Sequence, residues 1–135
     1  MLNKVLFIDD DSVALMLNKM LVDKAFFARE TITALNGRLA LDYYIELLNK
    51  PEEELAYPKL VFLDLNMPVM DGWDFLEEFT KSIFPKLRHT KIIVLSSSIN
   101  PEDKERSKRY PMVIDFIPKP VTVDILKKLL VDCSE

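Results

Sequence analysis

The sequence predicts a doubly wound α/β fold: a five-stranded parallel sheet, order 2-1-3-4-5, with helices on both faces. Three observations predict it. Four apolar runs, Val5-Leu6-Phe7-Ile8, Leu60-Val61-Phe62-Leu63, Ile92-Ile93-Val94-Leu95 and Val113-Ile114-Asp115-Phe116-Ile117, lack the alternation of a half-solvated strand. They read as strands buried on both sides, the habit of parallel sheets. Stretches of helical periodicity separate the runs, giving five strand-then-helix units and therefore a parallel sheet. Each run also ends on a residue able to handle a phosphoryl group: Asp9 and Asp10, Asp64, Ser96, and, through Pro118, Lys119. Ligands of open parallel sheets sit just beyond the carboxyl ends of the strands. Pro118 cannot donate to a ladder, so its strand belongs at a sheet edge. The order 2-1-3-4-5 places it there and makes the four polar termini neighbours.

The elements follow in turn. The first helix starts at Ser12, capped by Ser12 or Asp11, and the spacing of Val13, Leu17, Met20 and Leu21 predicts its buried stripe. A weaker strand, residues 30–35, rests on the β-branched Thr31, Ile32 and Thr33 and falls at the far edge. Asn36-Gly37 breaks the chain before a second helix, in which Leu41, Tyr44, Ile45 and Leu48 share a face. Residues 50–58 are acidic (Glu52, Glu53, Glu54) and read as an exposed connection. A third helix begins near Asp71-Gly72 and offers Phe75, Leu76 and Phe79 to the core. Asn100-Pro101-Glu102-Asp103 starts a fourth: a capping side chain, proline in the first turn, then acids facing the positive end of the dipole. Thr122 caps the fifth, with Ile125, Leu126, Leu129 and Leu130 as its apolar stripe.

The 135 residues fit one domain, residues 1–135, and 49% hydrophobic against 30% charged residues describes a globular chain. A net charge of −4 gives no footprint for nucleic acid, and the local group Lys104, Arg106, Lys108 and Arg109 reads as a solvated helix face. The single cysteine, Cys133, permits no disulfide within the chain. No run is long enough to span a membrane, and a cytoplasmic location is expected.

The clustered acids define the chemistry. Two carboxylates about 4 Å apart repel by about 4 kcal/mol at an effective dielectric near 20. Asp9, Asp10 and Asp64 would therefore raise one pKa or require a cation, and Lys119 alone cannot balance three negative charges. A hard, oxygen-seeking divalent ion such as Mg²⁺ relieves the strain and leaves positions for phosphate oxygens. With a carboxylate nucleophile, a hydroxyl and an ammonium alongside, phosphoryl transfer is the matching reaction. Asp64, alone at the end of a central strand, is the expected acceptor, while Asp11 reads as a turn or cap residue.

The chain resembles the receiver domains of two-component response regulators, the chemotaxis-type, flavodoxin-like fold. The resemblance rests on Phe7-Ile8-Asp9-Asp10, on Asp64-Leu65-Asn66-Met67-Pro68-Val69-Met70-Asp71-Gly72, on Leu95-Ser96-Ser97, and on Phe116-Ile117-Pro118-Lys119-Pro120. It implies a phosphoprotein of phosphorelay signalling, with Asp64 phosphorylated by a sensor histidine kinase or phosphotransfer protein. It implies Mg²⁺ held by Asp10, Asp64 and the backbone carbonyl of Asn66, with Asp9 assisting through water. It also implies phosphoryl oxygens bound by Ser96, Ser97 and Lys119, switch residues Ser96 and Phe116, and a cis Lys119–Pro120 bond. Asn66 and Ser98 would tune hydrolysis. Ser96 stands where threonine is commoner, Phe116 lacks a phenolic hydroxyl, and Pro118 should stiffen the loop holding Lys119. No output domain follows Glu135 in this chain, so a stand-alone receiver or a fragment is expected. No enzymatic turnover is expected beyond self-phosphorylation and autodephosphorylation. The expected assembly is a monomer or a weak dimer through the fourth-to-last-helix face, with an unknown downstream protein target.

Two rivals compete. Asp9-Asp10-Asp11-Ser12 is similar to the opening of haloacid-dehalogenase phosphatases, with Asp9 as nucleophile and Asp11 as general acid. That class wants metal-binding acids after the lysine, and the only aspartates that follow are Asp124 and Asp132, both on the last helix. A phosphate-independent binding module would predict a degraded site, and none of the five positions is degraded.

Overall fold

The structure, a computed structural model, describes residues 1–51, 56–97 and 100–132. Ser98, Cys133 and the acidic Glu52, Glu53 and Glu54 lie outside the described residues. The elements alternate as β1 (Leu2–Ile8), α1 (Ser12–Lys24), β2 (Ala28–Ala34), α2 (Gly37–Leu48), β3 (Leu60–Asp64), α3 (Gly72–Ser82), β4 (Lys91–Ser96), α4 (Pro101–Ser107), β5 (Val113–Pro118) and α5 (Val123–Asp132). All neighbouring strands pair in parallel, in the order β2-β1-β3-β4-β5. Pro118 ends the edge strand β5, where its missing N–H breaks no ladder.

The pleat splits each strand between two cores. Leu6 and Ile8 of β1 and Val61 and Leu63 of β3 face α2 and α3, joining Leu41, Tyr44, Phe75, Leu76 and Phe79. Val5 and Phe7 with Leu60 and Phe62 face α1 and α5, joining Leu15, Val22, Leu126 and Leu129. Phe7 and Phe62, opposite each other in register, stack with centroids 4.6 Å apart. A third, smaller cluster of Leu65, Val94 and Phe116, backed by Trp73 and Val113, lies towards α4.

The caps form as the sequence predicts. Asp11 accepts from the Val13 and Ala14 N–H groups, Asn36 from Leu39, Asp71 from Asp74 and Asn100 from Glu102. The Ile125 N–H donates to the Thr122 hydroxyl at 3.2 Å. Two expectations need correction. In α1, Val13, Leu17 and Met20 are 57%, 49% and 60% exposed, and the residues buried are Leu15 and Val22. Apolar side chains occupy more than one face of this helix, and the side that meets the sheet carries Leu15 and Val22. In α2, Ile45 is exposed and Leu47 is buried instead, because the helix turns Leu41, Tyr44 and Leu47 to the sheet.

Candidate functional site

Four strand ends deliver the site. Asp9 follows β1, and its N–H donates to the Ala34 carbonyl at 3.0 Å, which ties the turn to the end of β2. Its carboxylate is buried and engaged at both oxygens: Oδ1 accepts the Asp11 N–H at 3.0 Å and Oδ2 the Lys119 ammonium at 2.8 Å. Asp10 is exposed. Asp64 closes β3, is 7% exposed, and has Oδ1 3.5 Å from Lys119 Nζ. One carboxylate oxygen from each of Asp9, Asp10 and Asp64 lies within 4.8 Å of the others. Ser96 ends β4 and is buried, opposite Pro118 across the β4–β5 ladder. Its carbonyl accepts the Lys119 N–H at 2.8 Å, which locks the end of β5 to β4, and the Lys119–Pro120 bond is cis. Ser97 is exposed at the rim.

The segment after Asp64 is held by close backbone approach. A Cβ on Gly72 would lie 2.7 Å from the Asp64 carbonyl oxygen and 2.8 Å from Leu65 Cα. The Gly72 N–H donates to the Leu65 carbonyl at 2.9 Å, so the first residue of α3 is seated directly against the end of β3. Between them Val69 sits at φ 68°, with the Met70 N–H donating to Pro68 across it at 2.8 Å. A β-branched residue in that region is strained. Asn66 is exposed, and its backbone N–H donates to the Asp64 carboxylate.

The electrostatics are those of an acidic pocket with too little positive charge. Burial raises the Asp64 pKa above the ordinary carboxylate value, and repulsion from Asp9 and Asp10 adds to it. Attraction to Lys119 and the Asn66 hydrogen bond only partly oppose this. At Lys119 burial is the largest single influence and lowers the pKa. The hydrogen bonds and attraction to Asp9 and Asp64 outweigh it, so the ammonium titrates above its usual range. Among the described residues Lys119 is the one cation in ion-pair contact with Asp9 and Asp64. Three carboxylates against one ammonium, all hard oxygen donors, fit a divalent cation of the Mg²⁺ kind.

The structure thus brings Asp9, Asp10, Asp64 and Lys119 together, with Ser96 on the adjoining strand end and Asn66 following Asp64. Phe116 faces inward, buried against Leu65 and Val94. Asp11 is engaged as the cap of α1, so its carboxylate is directed at the helix backbone. Sequence reasoning placed Gly72 at a helix start and in the motif carrying the resemblance, but missed its close approach to the Asp64 and Leu65 backbone. It also missed Arg106, whose guanidinium carbon lies 4.2 Å from the Trp73 ring centroid rather than simply in solvent.

A parallel sheet of this order, with an acidic pocket at its carboxyl edge and a lysine across it, defines a receiver-type signalling module. Residues 5–131 match the response regulator receiver domain family, and the chain belongs to it. It is 27% identical over 131 residues to the probable methanogenesis regulatory protein FilR2 of Methanothrix harundinacea, covering 97% of this chain and 81% of that one. A two-component response regulator from Cytophaga hutchinsonii superimposes with a TM-score of 0.86 at 26% identity, covering 98% and 96% of the two chains. The chemotaxis protein CheY4 of Vibrio cholerae gives 0.77 at 26% identity, covering 98% and 99%. The protein is a response regulator receiver domain of two-component signalling, and no helix among the described residues is long and apolar enough to cross a membrane.

Proposed function

We propose that Asp64 accepts a phosphoryl group from a phosphohistidine on a sensor kinase or phosphotransfer protein, and that residues 1–135 act as one receiver domain in the cytoplasm. The observation that carries the reading is the convergence of Asp9, Asp10 and Asp64 within 4.8 Å around a lysine that reaches two of them. An Asp64 carboxylate oxygen attacks phosphorus, an O–P bond forms, the donor P–N bond breaks, and the released imidazole nitrogen takes up a proton. Lys119 pairs with the anionic group, and the Ser96 hydroxyl and the exposed Ser97 offer further hydrogen bonds to its oxygens. Asp9, Asp10, Asp64 and the Asn66 carbonyl would hold Mg²⁺, which supplies charge neutralisation for the phosphoryl oxygens. The raised pKa of Asp64 describes the pocket without that charge.

The approach for a donor is an open apolar groove of about 580 Å³ between α1 and the segment after β5. Leu17, Met20, Leu21, Pro120 and Val121 line it, and it reaches Asp9 and Lys119. Phosphorylation then alters the α4–β5–α5 face through Ser96 and Phe116. That face is where a downstream protein target, or a weak dimer, would engage.

Incubation with Mg²⁺ and a small acyl phosphate such as acetyl phosphate tests the assignment by intact mass. The wild-type chain should gain one phosphoryl group, and the gain should be absent when the metal is chelated beforehand and in Asp64→Asn. An Asp64→Asn protein that gains the same mass, or an Asp9→Asn protein that alone fails to, overturns it.

A further inference from the structure

Helix α4 is short, Pro101–Ser107, and Ser107 is its single buried residue. Apolar packing therefore does little to hold it, and the contacts that do are polar and aromatic. The Arg106 guanidinium carbon lies 4.2 Å from the Trp73 ring centroid, within the range of a cation–π contact. Just past α4, the Tyr110 ring lies 6.3 Å from the same indole, and its hydroxyl donates to Glu77 Oε1 at 2.8 Å. Trp73 and Glu77 are one turn apart on α3, so the end of α4 and the residue beyond it grip a single stretch of α3. Trp73 also packs against the cluster of Leu65, Val94 and Phe116. The indole thus sits between the guanidinium of α4 and the cluster that buries Phe116.

Phe116 lies opposite Val94 in the β4–β5 ladder, and three residues later Lys119 donates its N–H to Ser96. Whatever fixes Phe116 in the small cluster therefore fixes the end of β5. That end carries the ammonium that reaches Asp9 and Asp64. Interiors are close-packed and shift between discrete arrangements, so an uncovered Trp73 frees its neighbours to repack.

We propose that Arg106, Trp73, Tyr110 and Glu77 form a clamp that seats Phe116 and, through β5, positions Lys119, coupling the attachment of α4 to the affinity of the site for a phosphoryl group. The proposal rests on the phosphoacceptor reading above. Coupling of this kind is reciprocal: the clamp favours phosphoryl binding, and phosphoryl binding tightens the clamp. Arg106 is a positioning residue and touches no reacting atom.

The test uses the 135-residue chain with Mg²⁺ and beryllofluoride as the phosphoryl mimic. An exposed cation–π contact corresponds to about a two- to fivefold change in affinity, and Arg106→Ala should weaken beryllofluoride binding by that factor. In a Phe116→Ala background the same substitution should have no effect, since the link to Lys119 is already cut. Beryllofluoride should slow amide exchange in α4 of the wild type and leave it unchanged in Arg106→Ala. An unchanged affinity in Arg106→Ala, or an equal loss in the Phe116→Ala background, overturns the clamp. A ligand-free readout separates the two readings: Arg106→Ala should move the ring resonances of Phe116 before any mimic is added. A wild type that binds no mimic while those resonances move sinks the phosphoacceptor reading and the coupling to it, leaving only the structural link. Resonances that stay fixed sink that link as well.

Discussion

Helices α1 and α3 each follow a strand that leads into a site aspartate, both are capped by an aspartate, and they treat their apolar residues in opposite ways. In α3 the cap Asp71 sets up eleven residues that bury Gly72, Phe75, Leu76 and Phe79. Phe79 meets Tyr44 edge-on at 5.2 Å and lies 5.5 Å from Phe75. In α1 the cap Asp11 sets up thirteen residues of which only Leu15 and Val22 are buried, while Val13, Met16, Leu17 and Met20 stay exposed. Helix α3 is seated by Gly72 against the end of β3, close to the Asp64 backbone. Helix α1 lies beside the groove that opens on Asp9 and Lys119, and its outer face is exposed. An apolar helical stripe is thus core in α3 and largely exposed beside the groove in α1.

The comparison is sharpest in stability. Phe79→Ala should lower the free energy of unfolding by about 3–5 kcal/mol, since it empties a fully buried aromatic position between α2 and α3. Urea unfolding followed by far-UV circular dichroism reads this directly. A loss below about 1 kcal/mol, at the small end of what single substitutions do, would mean that α3 is not the rigid helix of the pair.

Gly72→Ala should cost about 1–3 kcal/mol, less than emptying the Phe79 site because only one methyl is added, yet not negligible because that methyl meets the Asp64 carbonyl and Leu65 backbone. Its larger effect should fall on function. Phosphorylation by acetyl phosphate should slow in Gly72→Ala, whereas Phe79→Ala, measured below its unfolding transition, should retain more of its rate. The reverse ranking would mean that the seat of α3 on β3 does not set the position of Asp64.

Most of this architecture was legible in the sequence because the parallel strands are unbroken apolar runs and the caps carry their own chemistry. Val5 to Ile8 and Leu60 to Leu63 could be little else, and Asn100-Pro101 announces a helix in two residues. The site was legible for the same reason: each of its groups follows a run that ends abruptly on a polar side chain. Periodicity fixed a stripe on α1 but not which stripe, since Val13, Leu15, Met16, Leu17, Met20, Leu21 and Val22 cover too much of the helix for spacing to choose. Turns without glycine were equally silent. Phe26 occupies the left-handed position at φ 51° that ends α1, with the Phe27 N–H reaching back to Val22 at 3.0 Å, a place glycine commonly fills. The skipped Ile114, where the register of β4 against β5 slips, leaves no mark in an apolar run. The pairing of Arg106 with Trp73, thirty-three positions apart in the chain, belongs to tertiary packing alone.

The smallest expected stability effect is the one that bears hardest on α1. Leu17→Gln and Met20→Gln, made singly, should each change the unfolding free energy by no more than about 0.5 kcal/mol, because about half or more of each residue is already in water. Each should leave phosphorylation by acetyl phosphate unchanged, since neither residue belongs to the cluster of Asp9, Asp10 and Asp64. On the proposed donor approach, transfer from a phosphorylated histidine-bearing protein domain should slow, because such a donor would cover the groove lined by Leu17 and Met20. The two donors divide the question: a small molecule enters the pocket alone, and a protein arrives over α1. Equal slowing with both would place the fault in the pocket and make α1 part of its support. A stability loss near 2 kcal/mol would mean that the outer face of α1 is packed in solution, and the contrast with α3 would then lie only in which partner each helix packs against.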